Sequence, residues 1–154
     1  HFTPSKRITK TVVYQMIYFS TTATPLDALQ IKDLLTASKA NNARDGITGL
    51  LVYHDRLCFQ ILEGDRDKVE ACYNRIKKDQ RHRKLFLMSE GDVDKRAFKD
   101  WKMAYESDSD MCEDTRRSSI SIRKLKKNPG QEIGGDPYIA CAIHNVLSDF
   151  RELR

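Results

Sequence analysis

The 154-residue chain lacks the features that mark several large protein classes. No apolar run approaches the ~20 residues that a helix needs to cross a bilayer, and no secretory hydrophobic segment opens the chain. Glycine (7) and proline (4) are scarce, which excludes collagen-like and Pro/Gly-rich disordered chains. With 40% hydrophobic and 32% charged residues, the composition predicts a globular domain with an extension and no membrane partner.

Cysteines are few and widely spaced. The four of them lie 14, 40 and 29 residues apart, at Cys58, Cys72, Cys112 and Cys141. None belongs to a C-x-x-C pair, and two fall within apolar patterns. This spacing argues against a disulfide framework and against a metal site, and it predicts a cytoplasmic protein with reduced thiols.

The excess of positive charge is small and local. A net charge of +5 would suit nucleic acid. However, residues 1–106 hold 19 Lys/Arg against 14 Asp/Glu, and residues 107–154 hold 8 of each. Much of the excess lies between Arg75 and Lys84, at a predicted helix end, where cations suit the helix dipole. The pattern indicates a solvated helix terminus and argues against a nucleic-acid partner.

Hydrophobic periodicity predicts five strands and two helices before residue 106. Apolar alternation or short apolar runs indicate strands over residues 12–19, 47–53, 57–63, 85–88 and 101–105. Thr24 and Pro25 suit the N-cap and first position of a helix that ends at Asn41-Asn42. Gly64 and Asp65 break the third strand and cap a second helix. The order predicts a ferredoxin-like α+β sandwich, with two helices on one face of a mixed or antiparallel sheet.

The remainder of the chain differs in character. An acidic stretch at 108–114 precedes a basic one at 116–127. From Pro137, apolar residues at three- to four-residue spacing predict a helix over about 138–152, which covers either the open face of the sheet or a partner. We therefore divide the chain into a polar N-terminal arm (1–10), a folded domain (11–106) and a partly helical C-terminal extension (107–154).

A glutamine interrupts the most apolar strand, Leu57-Cys58-Phe59-Gln60-Ile61-Leu62. An unpaired amide there would cost roughly 1–3 kcal/mol. Because the first and third strands are central neighbours in a ferredoxin-like sheet, Tyr18 and Gln60 could face each other beneath the two helices. The simplest interpretation is a phenol and an amide that satisfy each other in a core.

Other polar side chains converge on the same layer. Asn41 and Asn42 lie at the predicted end of the first helix, and Arg75 and Asp79 lie four residues apart on the second. A solvated ion pair explains the latter two without any ligand. Together, however, these groups suit a planar, hydrogen-bonding heterocycle, because amides serve both donor and acceptor edges and Arg offers a fork to a carbonyl.

The order of these residues resembles the BLUF family, sensors of blue light that use FAD. Several spaced motifs in register form a specific signal, whereas one alone would be weak. No family resemblance extends over residues 107–154. The matching stretches, within residues 10–106, are IYFS (17–20), SKANNARDGITGLLVY (38–53), FQILEG (59–64), RIKKDQRH (75–82) and FKDWKM (98–103).

The resemblance implies a non-covalently bound FAD between the two helices, with FMN or riboflavin as substitutes in a recombinant sample. Tyr18 would be the light-driven electron and proton donor, and Gln60 would lie between that phenol and the flavin. Trp101 and Met103 match the family's signal-relay element. The implied cofactor contacts are Ser38, Asn41, Asn42, Gln60, Arg75 and Asp79.

The implied function is that of a photoreceptor and not of an enzyme. An amide can exchange its donor and acceptor ends without a change of charge, so Gln60 could store the light signal in rearranged hydrogen bonds and shift the absorption to the red. The strand with Trp101 and Met103 would pass this state to the C-terminal extension and a downstream signalling protein. The chain is also expected to form a homo-oligomer. No cyclase, phosphodiesterase or DNA-binding motif is visible in the chain.

Three other functions are compatible with the same fold. An acylphosphatase-like hydrolase needs a glycine-rich phosphate cradle after the first strand, and residues 20–24 contain no glycine. An RNA-binding module needs solvent-facing aromatics, which Phe19 and Phe59 could supply unless the last helix covers that face. A flavin-free interaction domain would differ in colour alone, since a flavoprotein is yellow.

Overall fold

In the computed structural model, residues 12–54, 56–105, 119–121 and 137–152 are described. The N-terminal arm predicted for 1–10 lies outside these residues, as do the charged stretches of the extension at 108–117 and 123–127. The strands are β1 (Val13–Thr22), β2 (Thr48–His54), β3 (Leu57–Gly64), β4 (His82–Val93), β5 (Trp101–Tyr105) and β6 (Ser119–Ser121). The helices are α1 (Ala28–Asp45), α2 (Arg66–Lys78) and α3 (Pro137–Glu152).

The strands form one mixed sheet in the order β4-β1-β3-β2-β5-β6. β1 pairs antiparallel with β3 and β4, and β2 pairs antiparallel with β3. β5 and β6 extend the sheet in parallel beyond β2. The predicted ferredoxin-like α+β architecture is confirmed, with β1 and β3 as central neighbours. The short β6 is an addition that the sequence pattern does not indicate.

α1 begins and ends later than the sequence predicts. Asp27 is its N-cap instead of Thr24: the Asp27 carboxylate accepts a hydrogen bond from the backbone N–H of Gln30 (2.8 Å), and the Gln30 side chain accepts from the Asp27 N–H (3.0 Å). This reciprocal capping box satisfies two backbone donors at once. The helix continues past Asn42 to a left-handed C-cap at Gly46 (φ 68°), a conformation that suits glycine.

The two faces of the sheet are covered by different helices. α1 and α2 pack on the face that carries Cys58 and Leu62. α3 packs on the opposite face, where Ile139 and Ile143 are buried in one cluster with Phe59. Of the two predicted roles for the last helix, it covers the open face of the sheet. Because Phe59 is buried there, it is not available as a stacking platform for RNA bases.

β4 is three times as long as the four residues predicted for it, and it pairs with β1 along its length. Its ends carry polar and charged residues, which hide the apolar alternation in the sequence because an edge strand has one side open to solvent. Two register shifts interrupt the β4–β1 pairing, between Ile17 and Tyr18 and between Phe19 and Thr21. Within the described ranges, no helix is long and apolar enough to cross a membrane.

Candidate functional site

One row of side chains crosses the sheet beneath α1 and α2. Tyr18 of β1 pairs in register with Gln60 of β3, and Gln60 pairs with Leu51 of β2. Leu51 in turn pairs with Met103 of β5. Residues in register on adjacent strands share a face of the sheet. The phenol, the carboxamide and the thioether therefore lie along one line, with Leu51 between the last two.

Tyr18 is fully buried and donates a hydrogen bond from its hydroxyl to Oε1 of Gln60, so the structure pairs them as the sequence predicts. Burial raises the pKa of the Tyr18 phenol well above its ordinary value, and the nearby Cys72, Cys58 and Tyr73 raise it further. The phenol consequently keeps its proton and remains a donor to Gln60. Its ring also meets that of Tyr73 edge-to-face, with 5.1 Å between centroids.

A cleft opens between α1 and α2, with Gln60 at its base. Its volume is about 200 Å³, and each of the six side chains predicted to contact a cofactor borders it. The polar side chains come from α1, from α2 and from its C-cap Asp79, and apolar side chains from the same helices and from β2 form the walls, namely Leu34, Ala37, Leu51 and Ile76. Apolar walls with a few convergent polar groups are typical of small-molecule sites.

The two asparagines of α1 occupy different depths of this cleft. Asn42 is buried, and its Oδ1 lies 3.8 Å from Sγ of Cys72 on α2, which donates to it. Asn41 is half-buried at the rim, where its Oδ1 accepts from Nη1 of Arg44 at 3.3 Å. Asn42 therefore faces the interior between the helices, while Asn41 lies at the entrance.

Arg75 and Asp79 do not form the ion pair that their spacing suggests. Nη2 of Arg75 lies 3.5 Å from Oδ2 of Asp45, whereas Oδ2 of Asp79 lies 2.6 Å from Nη2 of Arg81. Asp79 is the C-cap of α2 and has extended backbone (φ −76°, ψ 120°), so helical i,i+4 geometry does not apply to it. Hydrogen bonds from Arg81 lower the pKa of the Asp79 carboxyl, which keeps it an acceptor.

Arg81 and His82 border the cleft as well, and sequence reasoning assigns neither of them a role. Nδ1 of His82 lies 2.8 Å from Oγ of the buried Ser20. Burial lowers the pKa of the His82 imidazole, which favours its neutral form. Both residues are the last two of the RIKKDQRH stretch (75–82) that matches the BLUF family. Their place in a matching stretch is the sequence signal that could have identified them as residues of the site.

Trp101 and Met103 are both buried beneath α1, in one cluster with Leu35 and Leu51. Neither is among the residues that border the cleft. In the part of the chain that the structure describes, Nε1 of Trp101 is the one buried side-chain nitrogen or oxygen without a hydrogen-bond partner. The indole is thus held by packing alone.

Comparison with known proteins identifies a family for most of the region described above. The protein-family model BLUF, described as sensors of blue-light using FAD, matches residues 13–104. The match covers more than half of the chain, from β1 almost to the end of β5, and it includes every site residue named above.

Curated relatives match over a similar region. The alpha subunit of a photoactivated adenylate cyclase from Euglena gracilis is 30% identical over 83 residues, which are 54% of this chain and 8% of the relative. The beta subunit from the same organism is 33% identical over 72 residues, 47% of this chain and 8% of the relative. The chain thus spans less than a tenth of the length of these relatives.

Solved structures share the fold over most of the chain. A bacterial light-regulated adenylyl cyclase has a TM-score of 0.61 and 27% identity, covering 92% of this chain and 35% of that one. The photo-activated state of BlsA has a TM-score of 0.59 and 25% identity, covering 88% and 94%. BlrB, a BLUF protein in its dark state, has a TM-score of 0.62 at 21% identity, covering 91% and 98%; it shows the fold.

Proposed function

The chain belongs to the BLUF family of flavin-binding blue-light photoreceptors, and we propose that its photochemistry runs through the hydrogen bond from Tyr18 to Gln60. One observation carries this proposal: a buried, protonated phenol donates to a carboxamide that forms the base of a polar-rimmed cleft. Neither a phosphate-binding loop nor an exposed aromatic sheet face accounts for that arrangement. The hydrolase and RNA-binding alternatives therefore have no support.

The lining of the cleft supports the proposal that it takes the isoalloxazine ring of FAD. Its apolar walls suit the two faces of a flat ring, and its amides suit a ring edge that alternates donors and acceptors. We propose that the ring is held by Ser38, Asn41, Asn42, Gln60, Arg75 and Asp79, with Asn42 at the C4=O/N3 edge. The cations of Arg75 and Arg81 lie at the rim, where a carbonyl or phosphate oxygen would find them.

Bound FAD would supply the absorption of blue light and an acceptor for an electron and a proton. Tyr18 is placed to provide both, because its phenol is protonated and its O–H points at Gln60. Oε1 of Gln60 is within hydrogen-bond reach to receive that proton. When the electron and the proton have returned to Tyr18, the carboxamide can retain exchanged donor and acceptor ends, since the exchange leaves no net charge behind.

We propose that β5 carries the signal away from the cleft. Met103 lies in the same row as Gln60, one residue beyond Leu51, and it pairs in register with Ser119 of β6. Trp101 makes no hydrogen bond through Nε1, so it loses none by moving. The output is then a shift in the population of β5 arrangements, and not a catalysed reaction.

The remaining elements of the function are proposals of the same kind. FAD is the flavin that the family description names, and FMN or riboflavin could occupy the same ring site in a recombinant sample. The C-terminal extension would transmit the state of β5 to a downstream signalling protein, and the chain would assemble as a homo-oligomer. The wide cysteine spacing supports a cytoplasmic location.

The proposal is tested by visible spectra in darkness and after blue illumination. The parent protein is expected to be yellow and to show a small, slowly reversing red shift. Tyr18→Phe and Gln60→Leu should bind flavin and show no shift. Tyr14→Phe is the matched control, because Tyr14 lies on the same strand and face but donates to Glu90, and it should keep the shift.

Two results would count against the proposal. A shift of parental size in both Tyr18→Phe and Gln60→Leu would refute the roles of these residues. Purified protein that is colourless and takes up no added FAD would refute flavin binding itself.

A further inference from the structure

The carboxamide of Asn42 is held at its oxygen end alone. Asn42 is 3% exposed and borders the cleft, and its Oδ1 accepts a hydrogen bond from the thiol of Cys72, with 3.8 Å between Oδ1 and Sγ. Among the residues that the structure describes, no hydrogen bond involves Nδ2 of Asn42. Nδ2 is also not sealed away from the cleft, since the sealed, unpaired polar side-chain atom within the described ranges is Nε1 of Trp101. The amide nitrogen of Asn42 therefore opens to the cleft.

The backbone of Asn42 is fixed at the end of α1. Its C=O accepts from the N–H of Ile47 at 2.8 Å and from the N–H of Gly46, the left-handed C-cap of the helix. The freedom that remains is a half-turn of the carboxamide, which exchanges oxygen and nitrogen with almost no change in shape. A neighbour that distinguishes oxygen from nitrogen therefore decides which of the two faces the cleft.

The Cys72 thiol makes this distinction. Cys72 is 5% exposed, and burial raises the pKa of its thiol above the ordinary value, so the proton stays on sulfur. The reverse orientation of Asn42 would point an N–H at sulfur, which is a weak acceptor, and would leave the buried S–H without an acceptor. The protonated thiol consequently favours the orientation in which Oδ1 faces α2 and Nδ2 faces the cleft.

We propose that Cys72 is a positioning residue of the cleft, which orients the Asn42 carboxamide so that a hydrogen-bond donor faces the ligand and selects a carbonyl oxygen there. This proposal rests on the flavin binding proposed above and refines it, because the C4=O/N3 edge of the ring offers both an acceptor oxygen and an N–H donor. An oriented Asn42 would donate to the oxygen. Orientation in advance strengthens binding, since the amide does not have to be ordered when the ring enters.

The first experiment tests the thiol–amide hydrogen bond in the flavin-free, full-length protein. The infrared S–H stretch is the readout, because its frequency falls when the thiol donates a hydrogen bond. The difference between the spectra of the parent and Cys72→Ala isolates the Cys72 band from those of the other thiols. The same subtraction in an Asn42→Ala background should place this band at higher wavenumber. Asn41→Ala is the matched control and should not move it, because Oδ1 of Asn41 accepts from Arg44.

The second experiment tests the consequence for the ring, with riboflavin as the probe. Its affinity is measured by quenching of flavin fluorescence, and its C4=O stretch by infrared difference spectroscopy with isotope-labelled C4. Cys72→Ala should raise the dissociation constant roughly three- to tenfold. Bound riboflavin should then show a second C4=O band at higher wavenumber, from molecules whose carbonyl lacks the Asn42 donor. Cys72→Ser keeps a donor at this position and should restore the single band.

The matched control for the loss of a buried thiol is Cys58→Ala. Cys58 is 1% exposed and lies on the face of the sheet beneath α1 and α2, but it is not among the residues that border the cleft. Cys58→Ala should leave the C4=O band single and the affinity for riboflavin unchanged. A purely structural role of Cys72 would lower stability in the same way as the loss of Cys58 and would move no carbonyl band.

Two outcomes would overturn the proposal. If the S–H band of Cys72 does not move in Asn42→Ala, the thiol does not donate to this amide. If Cys72→Ala keeps a single C4=O band and the parental affinity, the orientation of Asn42 does not depend on the thiol. Failure of the proposed function looks different: no variant, the parent included, would bind riboflavin. The contact with the ring would then be refuted, whereas a shifted S–H band would still establish the hydrogen bond from Cys72 to Asn42.

Discussion

Gln60 and Glu63 are both buried on β3, yet the two faces of the sheet hold them in opposite ways. Glu63 lies on the α3 face and is 0% exposed. Its carboxylate accepts from Nε2 of Gln15 (2.8 Å) and from the backbone N–H groups of Ala97 (2.9 Å) and Phe98 (3.0 Å). Gln60 lies on the opposite face, because an odd separation along a strand changes sides. It accepts from Tyr18 and borders the cleft.

This difference shows what makes a buried polar group rigid or switchable. Rotation of the Glu63 carboxylate would break hydrogen bonds to three residues on two other segments, so it fixes the loop before β5 to β3. The Gln60 carboxamide has space beside it, and an exchange of its two ends costs it no charge. β3 thus carries a fixed carboxylate, Glu63, and a movable carboxamide, Gln60, three residues apart.

The largest expected effect comes from removing the anchor. Glu63→Leu leaves the N–H groups of Ala97 and Phe98 without their acceptor, and each buried orphan costs roughly 1–3 kcal/mol. We expect the free energy of unfolding, measured in urea, to fall by about 3 kcal/mol or more. Glu63→Gln should cost less, because a carboxamide oxygen still accepts.

The control for Glu63 is another glutamate that forms only an exposed ion pair. Glu70 lies 3.2 Å from Nε of Arg66 in i,i+4 spacing on α2. Glu70→Ala should change the free energy of unfolding by less than about 0.5 kcal/mol, since exposed pairs contribute little. Equal losses in Glu63→Leu and Glu70→Ala would remove the distinction between an anchor and a surface charge.

A smaller effect is expected at Trp101, on the cleft side of the sheet. Trp101→Phe loses some packing but also removes an indole N–H that has no partner. The two contributions oppose each other, so the free energy of unfolding of the flavin-free protein should change by about 1 kcal/mol or less. Phe59→Leu, which shrinks a buried ring on the α3 face without removing an orphan, should cost more. A larger loss at Trp101 than at Phe59 would contradict this reading.

The sequence predicts the features that depend on periodicity and chain order. Alternation along β1 and β3, together with the ferredoxin-like strand order, was enough to set Tyr18 opposite Gln60. The residues at the ends of the two helices were expected near them, and they border one cleft. These features are predictable because strand pairing brings distant residues into a fixed relation.

Features that depend on competition between local partners were not predictable in this way. Thr24 and Asp27 are both acceptable N-caps, and the choice between them depends on the side chain of Gln30. Arg75 and Asp79 have the spacing of a pair, but the end of α2 gives each a different partner. The sequence does not predict the role of Glu63, because two of its hydrogen-bond donors are backbone N–H groups more than 30 residues away. Every residue except proline has such a group, so the residue types at 97 and 98 do not indicate the contact.

The smallest expected effect is the pH dependence that His82 adds on the cleft side. Burial lowers the pKa of its imidazole below the ordinary value of 6.5, so the fold favours the neutral form. The resulting stabilisation is complete above that value and is lost as the pH falls through the lower pKa of the folded protein. The free energy of unfolding of the parent should therefore decrease more between about pH 8 and about pH 5 than that of His82→Gln. NMR titration of the ring should give the same direction. Parallel pH profiles for the two proteins, or a ring that titrates above 6.5, would contradict the prediction. Either result would show that the folded protein does not favour the neutral form of the His82 imidazole beside Ser20.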